Sequence, residues 1–180
     1  VARWSYEHVA MIASIAHDKP HGNIAHEIFY PTGPFAILPL IDGEEGEHRS
    51  ALVWTVDKKH ASAMLALPDR AYQAEAEKRM GGMLGAVRMI SPRASYPLGF
   101  HHAARITDTR LALVGDAAHG IHPIAGQGVN LGYRDVAALT EVLVEGMRTG
   151  LDPGDAQLLA RYQRWRSLDS FLVAASTDGL

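Results

Sequence analysis

Apolar residues come in short runs broken by turn formers over the first half of the chain, and in longer helical spacings over the second. Tyr6–Ala16, Ile24–Tyr30, Phe35–Ile41 and Arg49–Val56 read as strands, linked by Gly33-Pro34 and by the acidic stretch Asp42–Glu47. Along Phe35–Leu40 both alternating sets are apolar. One face then packs on helices, and the other meets a ligand, another domain or simply more core. Helices are expected at Lys58–Leu65 and at Asp69–Leu84, the second starting after Pro68 and ending at a glycine-rich stretch.

Extended segments return at Ala86–Ile90, Ser95–Phe100 and Ala103–Ile106. Leu111–Val114, stopped by Gly115, suits a strand buried on both faces. Past Pro123, Gly126 and Gly128, the spacing of Val129, Tyr133, Val136, Thr140, Leu143, Val144 and Met147 predicts an amphipathic helix to about Met147. Gly150 and Pro153-Gly154 mark a turn, and Asp155–Thr177 reads as a last helix bearing Leu158, Leu159, Tyr162, Trp165 and Leu168. The fold class is α/β, or α+β for this chain, in two pieces: an antiparallel sheet with helices over 1–92, then strand and helix over 93–180.

Composition narrows the class. With 47% hydrophobic residues and a net charge of −3, the 180 residues carry no sign of disorder and no basic excess suited to nucleic acid. Lys58-Lys59 and the set Arg161, Arg164 and Arg166 read as solvated faces. No run approaches the ~20 apolar residues that span a bilayer, and Val1–Arg3 does not open a signal peptide, so a cytoplasmic protein is expected. Cysteine is absent, which removes disulfides and thiol chemistry.

Candidate chemistry gathers between Leu111 and Gly132. Asp116 follows a strand end, where ligands collect in open α/β sheets and where a carboxylate accepts hydrogen bonds from hydroxyls. Gly126 and Gly128 open a helix whose unpaired N–H groups and positive dipole end suit an electron-rich ligand. Other readings stay open: Asp116 as a turn or cap residue, and the Gly126, Gly128, Gly132 spacing as helix packing. An NAD-type phosphate turn places its glycines directly after the strand, and here 115–125 intervenes. A metal is not expected. His119 and His122 lie in a segment broken by Gly120 and Pro123, and adjacent His101 and His102 in a strand point to opposite faces. His119 or His122 is expected near a ligand edge or at the surface.

Gly115-Asp116-Ala117-Ala118-His119, followed by His122-Pro123, Gly126-Gln127-Gly128, Asn130, Gly132 and Asp135, resembles the second FAD-binding motif of the class A, para-hydroxybenzoate-hydroxylase-like flavoprotein hydroxylases. Within them the chain is most similar to the ubiquinone-biosynthesis hydroxylases, through Gly33–Leu40, Leu52-Val53-Trp54, Tyr96-Pro97-Leu98, and Tyr162 with Arg164, Arg166 and Asp169. The resemblance implies a substrate-domain antiparallel sheet followed by the C-terminal part of a Rossmann-like FAD domain. It implies that Gly115 and Asp116 serve the ribityl or pyrophosphate-proximal part of FAD, and that Pro123 passes the isoalloxazine. Gly126, Gln127 and Gly128 would then meet the N1 and C2 carbonyl edge, with Asn130 fixing that edge or capping the helix.

The family's Gly-x-Gly-x-x-Gly turn and Asp-Gly motif do not occur, so the chain is expected to be a C-terminal fragment that is inactive alone. The parent enzyme is expected to hydroxylate a prenylated phenol with FAD, NAD(P)H and dioxygen through a flavin C4a-hydroperoxide. Ile37, Pro39 and Trp54 are the candidate substrate-lining residues; no catalytic acid or base is identified. A prenyl substrate implies peripheral contact with the inner face of the membrane, and a homo-oligomer or biosynthetic complex is compatible with the family. The alternatives are a flavoprotein of halogenase or geranylgeranyl-reductase type, or a non-catalytic packing domain.

Overall fold

The computed structural model describes residues 1–123 and 126–178, with side chains through Ser170 and at Leu172. The chain divides into two compact units, Tyr6–Leu98 and the combination of Val1–Ser5 with Gly99–Leu180. Strands and helices are both well represented, as the mixed pattern predicts.

In the unit Tyr6–Leu98, the alternation builds an antiparallel sheet. Strands β1 (Ala2–His17), β2 (His26–Tyr30), β3 (Gly33–Pro39) and β4 (His48–Asp57) lie in the order β2-β3-β4-β1. The register pairs Phe35 and Met11 with Trp54, and Ile37 with Leu52, so one face collects the large apolar side chains. Helix α1 (Lys58–Ala66) starts where the Asp57 carboxylate accepts the Lys59 N–H, and α2 (Asp69–Met80) follows Pro68. The Gly81 N–H closes α2 on the Glu77 and Lys78 carbonyls, which ends it short of the expected Leu84. Val9, Met11, Ile15, Phe35, Ile37, Leu52 and Trp54 of the sheet pack with Tyr72, Ala76 and Met80 of α2 to form the core. A short β5 (Val87–Met89) pairs with β1.

In the other unit, the end of β6 (Ala94–His102) lies beside the start of β1, where Trp4 and Phe100 stack with centroids 4.0 Å apart. Ala103–Ile106 is not a strand. The next pairing is β7 (Thr107–Asp108) with β8 (Leu111–Ala112), and Val114 lies outside any strand. The strand expected to be buried on both faces is therefore two residues long, and Leu111 is exposed. Burial of both faces needs a packed layer on each, and the exposed Leu111 shows that one face of β8 has none among the described residues.

A 3-10 turn at Gly115–Ala117 leads into β9 (His119–Gly120), which pairs with β6 through His102 and His119. Helices α3 (Gln127–Arg148) and α4 (Ala156–Asp178) complete the unit, α4 starting where Asp155 accepts the Gln157 and Leu158 N–H groups. Its core joins Ala103, Ile106, Ala118, Ala138, Val142, Leu158 and Tyr162.

Helix α3 turns the opposite face inward from the one its large apolar residues suggest. Leu131, Asp135, Ala138, Val142 and Gly146 are buried, whereas Val129, Tyr133, Val136, Val144 and Met147 are exposed, Tyr133 at 70%. Small residues decide this. At Gly146 a Cβ would stand 2.3 Å from Leu158 Cδ1, so α3 and α4 approach too closely there for a bulkier side chain.

Candidate functional site

Gly115 adopts a φ of 59°, a conformation glycine takes without strain, and it turns the chain sharply out of β8's extension. The turn lies against α3: a Cβ on Gly132 would stand 3.6 Å from the Gly115 Cα. His101 donates from Nε2 to the Asp116 carbonyl at 2.6 Å, and the lack of a side chain at Gly120 lets its ring pass. The backbone of Asp116 is thus fixed while its side chain is exposed, with no hydrogen-bond partner among the described residues.

Beneath the turn lies Asp135, 0% exposed. Its Oδ2 accepts the Gly115 N–H at 2.8 Å and lies 2.7 Å from His119 Nε2, while Oδ1 accepts Arg166 Nε at 2.6 Å. Arg166 also donates to Asp169, which pairs with Arg134, and Tyr162 donates to the Leu113 carbonyl at 2.9 Å. Burial alone would raise the Asp135 carboxyl, yet hydrogen bonds from His119, Arg166 and Gly115 outweigh it and hold the group below the usual carboxylate range. The carboxylate is charged, satisfied and out of reach of solvent.

At the other end of the motif, Gly126 caps α3 with a φ of 62° and its N–H meets the Pro123 carbonyl at 2.9 Å. No side chain caps the helix start, and a Cβ on Gly126 or Gly128 would meet nothing within 4 Å. Asn130 donates to the Gln127 side chain at 3.3 Å, and Pro123 is exposed. Ile124 and Ala125, inside the motif, lie outside the described residues. The arrangement offers open backbone donors beside α3 and a free carboxylate on the 115–117 turn, both suited to a polar, electron-rich ligand with hydroxyls.

Gly115, Asp116, Gly126, Gln127, Gly128 and Asn130 all belong to this unit; Ile37, Pro39 and Trp54 belong to the other. Ile37 and Trp54 lie in its core under the helices, Trp54 edge-on to Phe35 at 5.5 Å with the Arg79 guanidinium 4.6 Å from its ring centroid. Pro39, half-buried, pairs with Ser50 at the end of β3. The opposite sheet face is more open: Ile12 lies across from Val53, and Val53 from Ala36, with Leu38 and Ile12 exposed.

Two histidine and arginine expectations change. His119 is neither a surface residue nor free to meet a ligand, being 3% exposed and bonded to Asp135. Arg166 is buried, not on a solvated face, because Asp135 and Asp169 supply its counter-charges. Among the described residues no group of His, Asp or Glu is arranged to hold a metal, and no helix is long and apolar enough to cross a membrane. The role of Asp135 with Arg166 and His119 was not assigned from sequence. The available signal was an acid at the buried spacing of Leu131, Asp135, Ala138 and Val142.

Residues 6–173 match the family model described as an FAD binding domain. The chain is 50% identical over 175 residues to a ubiquinone hydroxylase of Rhodospirillum rubrum, covering 97% of this chain and 40% of that protein. It is 38% identical over 178 residues to the 3-demethoxyubiquinol 3-hydroxylase of Escherichia coli, covering 99% of this chain and 44% of that one. A probable FAD-dependent monooxygenase structure from Pseudomonas aeruginosa shares the fold, with a TM-score of 0.72 at 22% identity over 98% of this chain and 47% of that chain. The chain thus spans less than half the length of these relatives.

Proposed function

The chain belongs to the FAD-binding-domain family, and from that membership we propose that it is part of an FAD-dependent monooxygenase hydroxylating a polyprenylated phenol in ubiquinone biosynthesis, with NAD(P)H as reductant. The observation that carries this reading is the 50% identity to a ubiquinone hydroxylase across nearly the whole chain. The geometry fits the cofactor. The start of α3 has no side-chain cap and is open at Gly126 and Gly128, and Asp116 holds out an exposed carboxylate with no hydrogen-bond partner among the described residues.

Asp116 would accept hydrogen bonds from ribityl hydroxyls, its backbone held by Gly115. Because the Gly126 N–H is taken by the Pro123 carbonyl, Gly126 would turn the chain and leave the N–H groups at Gln127 and Gly128 to face the N1 and C2 carbonyl edge, with Pro123 beside the ring and Asn130 steadying Gln127. When bound, FAD supplies the redox and dioxygen chemistry that side chains lack. The chain's own share is electrostatic and positional: donors fixed in advance stabilise negative charge at that edge without reorganising.

The open sheet face with Ile12, Ala36, Leu38 and Val53 offers apolar area for an aromatic ring and prenyl tail, and the buried Ile37 and Trp54 stiffen that sheet from behind. Pro39 stands at its edge. Peripheral contact with the membrane that carries prenylated substrates belongs to the same reading, as does assembly with copies of itself or with other biosynthetic enzymes.

Adding FAD to the intact protein and recording visible flavin absorbance tests the cofactor; a colourless protein refutes it. Labelled dioxygen tests the reaction. Label in the phenolic product supports hydroxylation, while halogenated, reduced or unlabelled product assigns another chemistry.

A further inference from the structure

The geometry points to Asp135 as the positioning residue of the cofactor site: its buried carboxylate, locked by Arg166, fixes both ends of the 115–119 turn so that the Asp116 side chain meets FAD already in place. The inference rests on the cofactor reading above and adds a role for three residues that cannot themselves touch a ligand. Asp135 is 0% exposed, and His119 and Arg166 are each 3% exposed.

One oxygen does the holding. Asp135 Oδ2 is bonded to Gly115 N, one residue before Asp116, and to His119 Nε2, three residues after it. The other oxygen accepts Arg166 Nε, and Arg166 is steered in turn by Asp169. His101 fixes the Asp116 carbonyl from the far side of the turn. The three bonds that reach the turn end on the Gly115 N–H, the Asp116 carbonyl and the His119 ring, and none ends on the Asp116 carboxylate.

The arrangement is a rigid mount with a free arm. A buried ionic group contributes little net stability over apolar side chains of similar size, but it does impose direction. A carboxylate held in its binding position also spares a ligand the ordering cost that a mobile turn would impose.

The test is a double-mutant cycle on FAD affinity in the intact protein, with the visible circular dichroism of the bound flavin as a second readout. Asp135→Asn is expected to weaken FAD binding about 10–100-fold, the loss seen when a residue that orients a metal ligand is removed. Asp116→Ala also weakens it, and the double variant is no weaker than Asp116→Ala alone by more than about twofold, because Asp135 acts through Asp116. Flavin retained by Asp135→Asn shows an altered dichroism band. Two independent factors that multiply in the double variant overturn the proposal. So does a lowered melting temperature in Asp135→Asn with unchanged FAD affinity and dichroism.

Should Asp135→Asn fail to fold, His119→Leu carries the same cycle, since it removes the Nε2 bond to Asp135 at one end of the turn and leaves the Arg166 pair intact. If the unaltered protein takes no FAD, the cofactor reading falls first. If it binds FAD, and Asp116→Ala weakens it while Asp135→Asn multiplies independently, only the positioning role falls.

Discussion

Arg166 donates through Nε to Oδ1 of Asp135 at 2.6 Å, and neither side chain meets solvent. Removing one partner of such a pair strands a buried charge, at a cost of about 3–5 kcal/mol. Arg166→Met is therefore expected to destabilise the chain by that order. Asp135→Asn combined with Arg166→Met is expected to cost less than Arg166→Met alone, since no unpaired charge remains. Urea denaturation of the variants measures both, and a double variant worse than the single one contradicts the pairing.

Gly128 sits in the first turn of α3 with open space where a Cβ would go. Alanine there adds helix propensity, so Gly128→Ala is expected to raise the stability of the cofactor-free protein by up to about 1 kcal/mol. The same methyl group occupies room assigned to the flavin, and FAD affinity is expected to fall about tenfold, equivalent to ~1.4 kcal/mol. Thermal melts without FAD and a fluorescence titration with it report the two opposite signs.

Tyr72 packs its ring against Trp54 and under the Arg93 guanidinium, and its buried hydroxyl has no hydrogen-bond partner among the described residues. Burial pushes the phenol up to about 12. A folded value above the ordinary one near 10 means a contribution present below about pH 10 and lost as pH rises toward 12. Tyr72→Phe removes the orphan hydroxyl and is expected to be neutral or stabilising by about 1 kcal/mol at pH 7. Its stability is expected to fall less between pH 9 and about pH 12 than that of the unaltered chain, as paired denaturant titrations would record.

His102 titrates below the ordinary histidine value because it is half-buried and lies beside His119 and His101, with the Ala103 backbone bond opposing in part. A depressed imidazole makes the folded state the weaker proton binder. Its contribution is present above about pH 6.5 and lost as pH falls below it. Melting temperatures at pH 7 and pH 5 should therefore differ less in His102→Asn than in the unaltered chain, and an unchanged difference excludes His102 as the source.

The strands at Tyr6–Ala16 and Arg49–Val56 were legible because each pairs across a sheet with one apolar face, and period-two alternation records that directly. The inward face of α3 was not legible. Side-chain size suggested Val129, Tyr133 and Met147, but contact distance chose Leu131, Ala138 and Gly146, and close approach between helices leaves no hydrophobicity signal. At the site, Asp116 and the glycines stood out as exceptions to regular structure. Asp135 and Arg166 did not, since a buried ion pair uses residue types that are usually solvated, and only the fold brings together positions separated by |i−j| = 31 in sequence.

Val129, Tyr133, Val136, Val144 and Met147 form an exposed stripe along α3 on a chain whose net charge is only −3. In colloidal terms this is a sticky rod with little electrostatic repulsion around it. Attraction between such faces is expected to outweigh so small a charge, giving the purified 180-residue chain a negative second virial coefficient, which light scattering checks as a rise in signal per molecule on concentration.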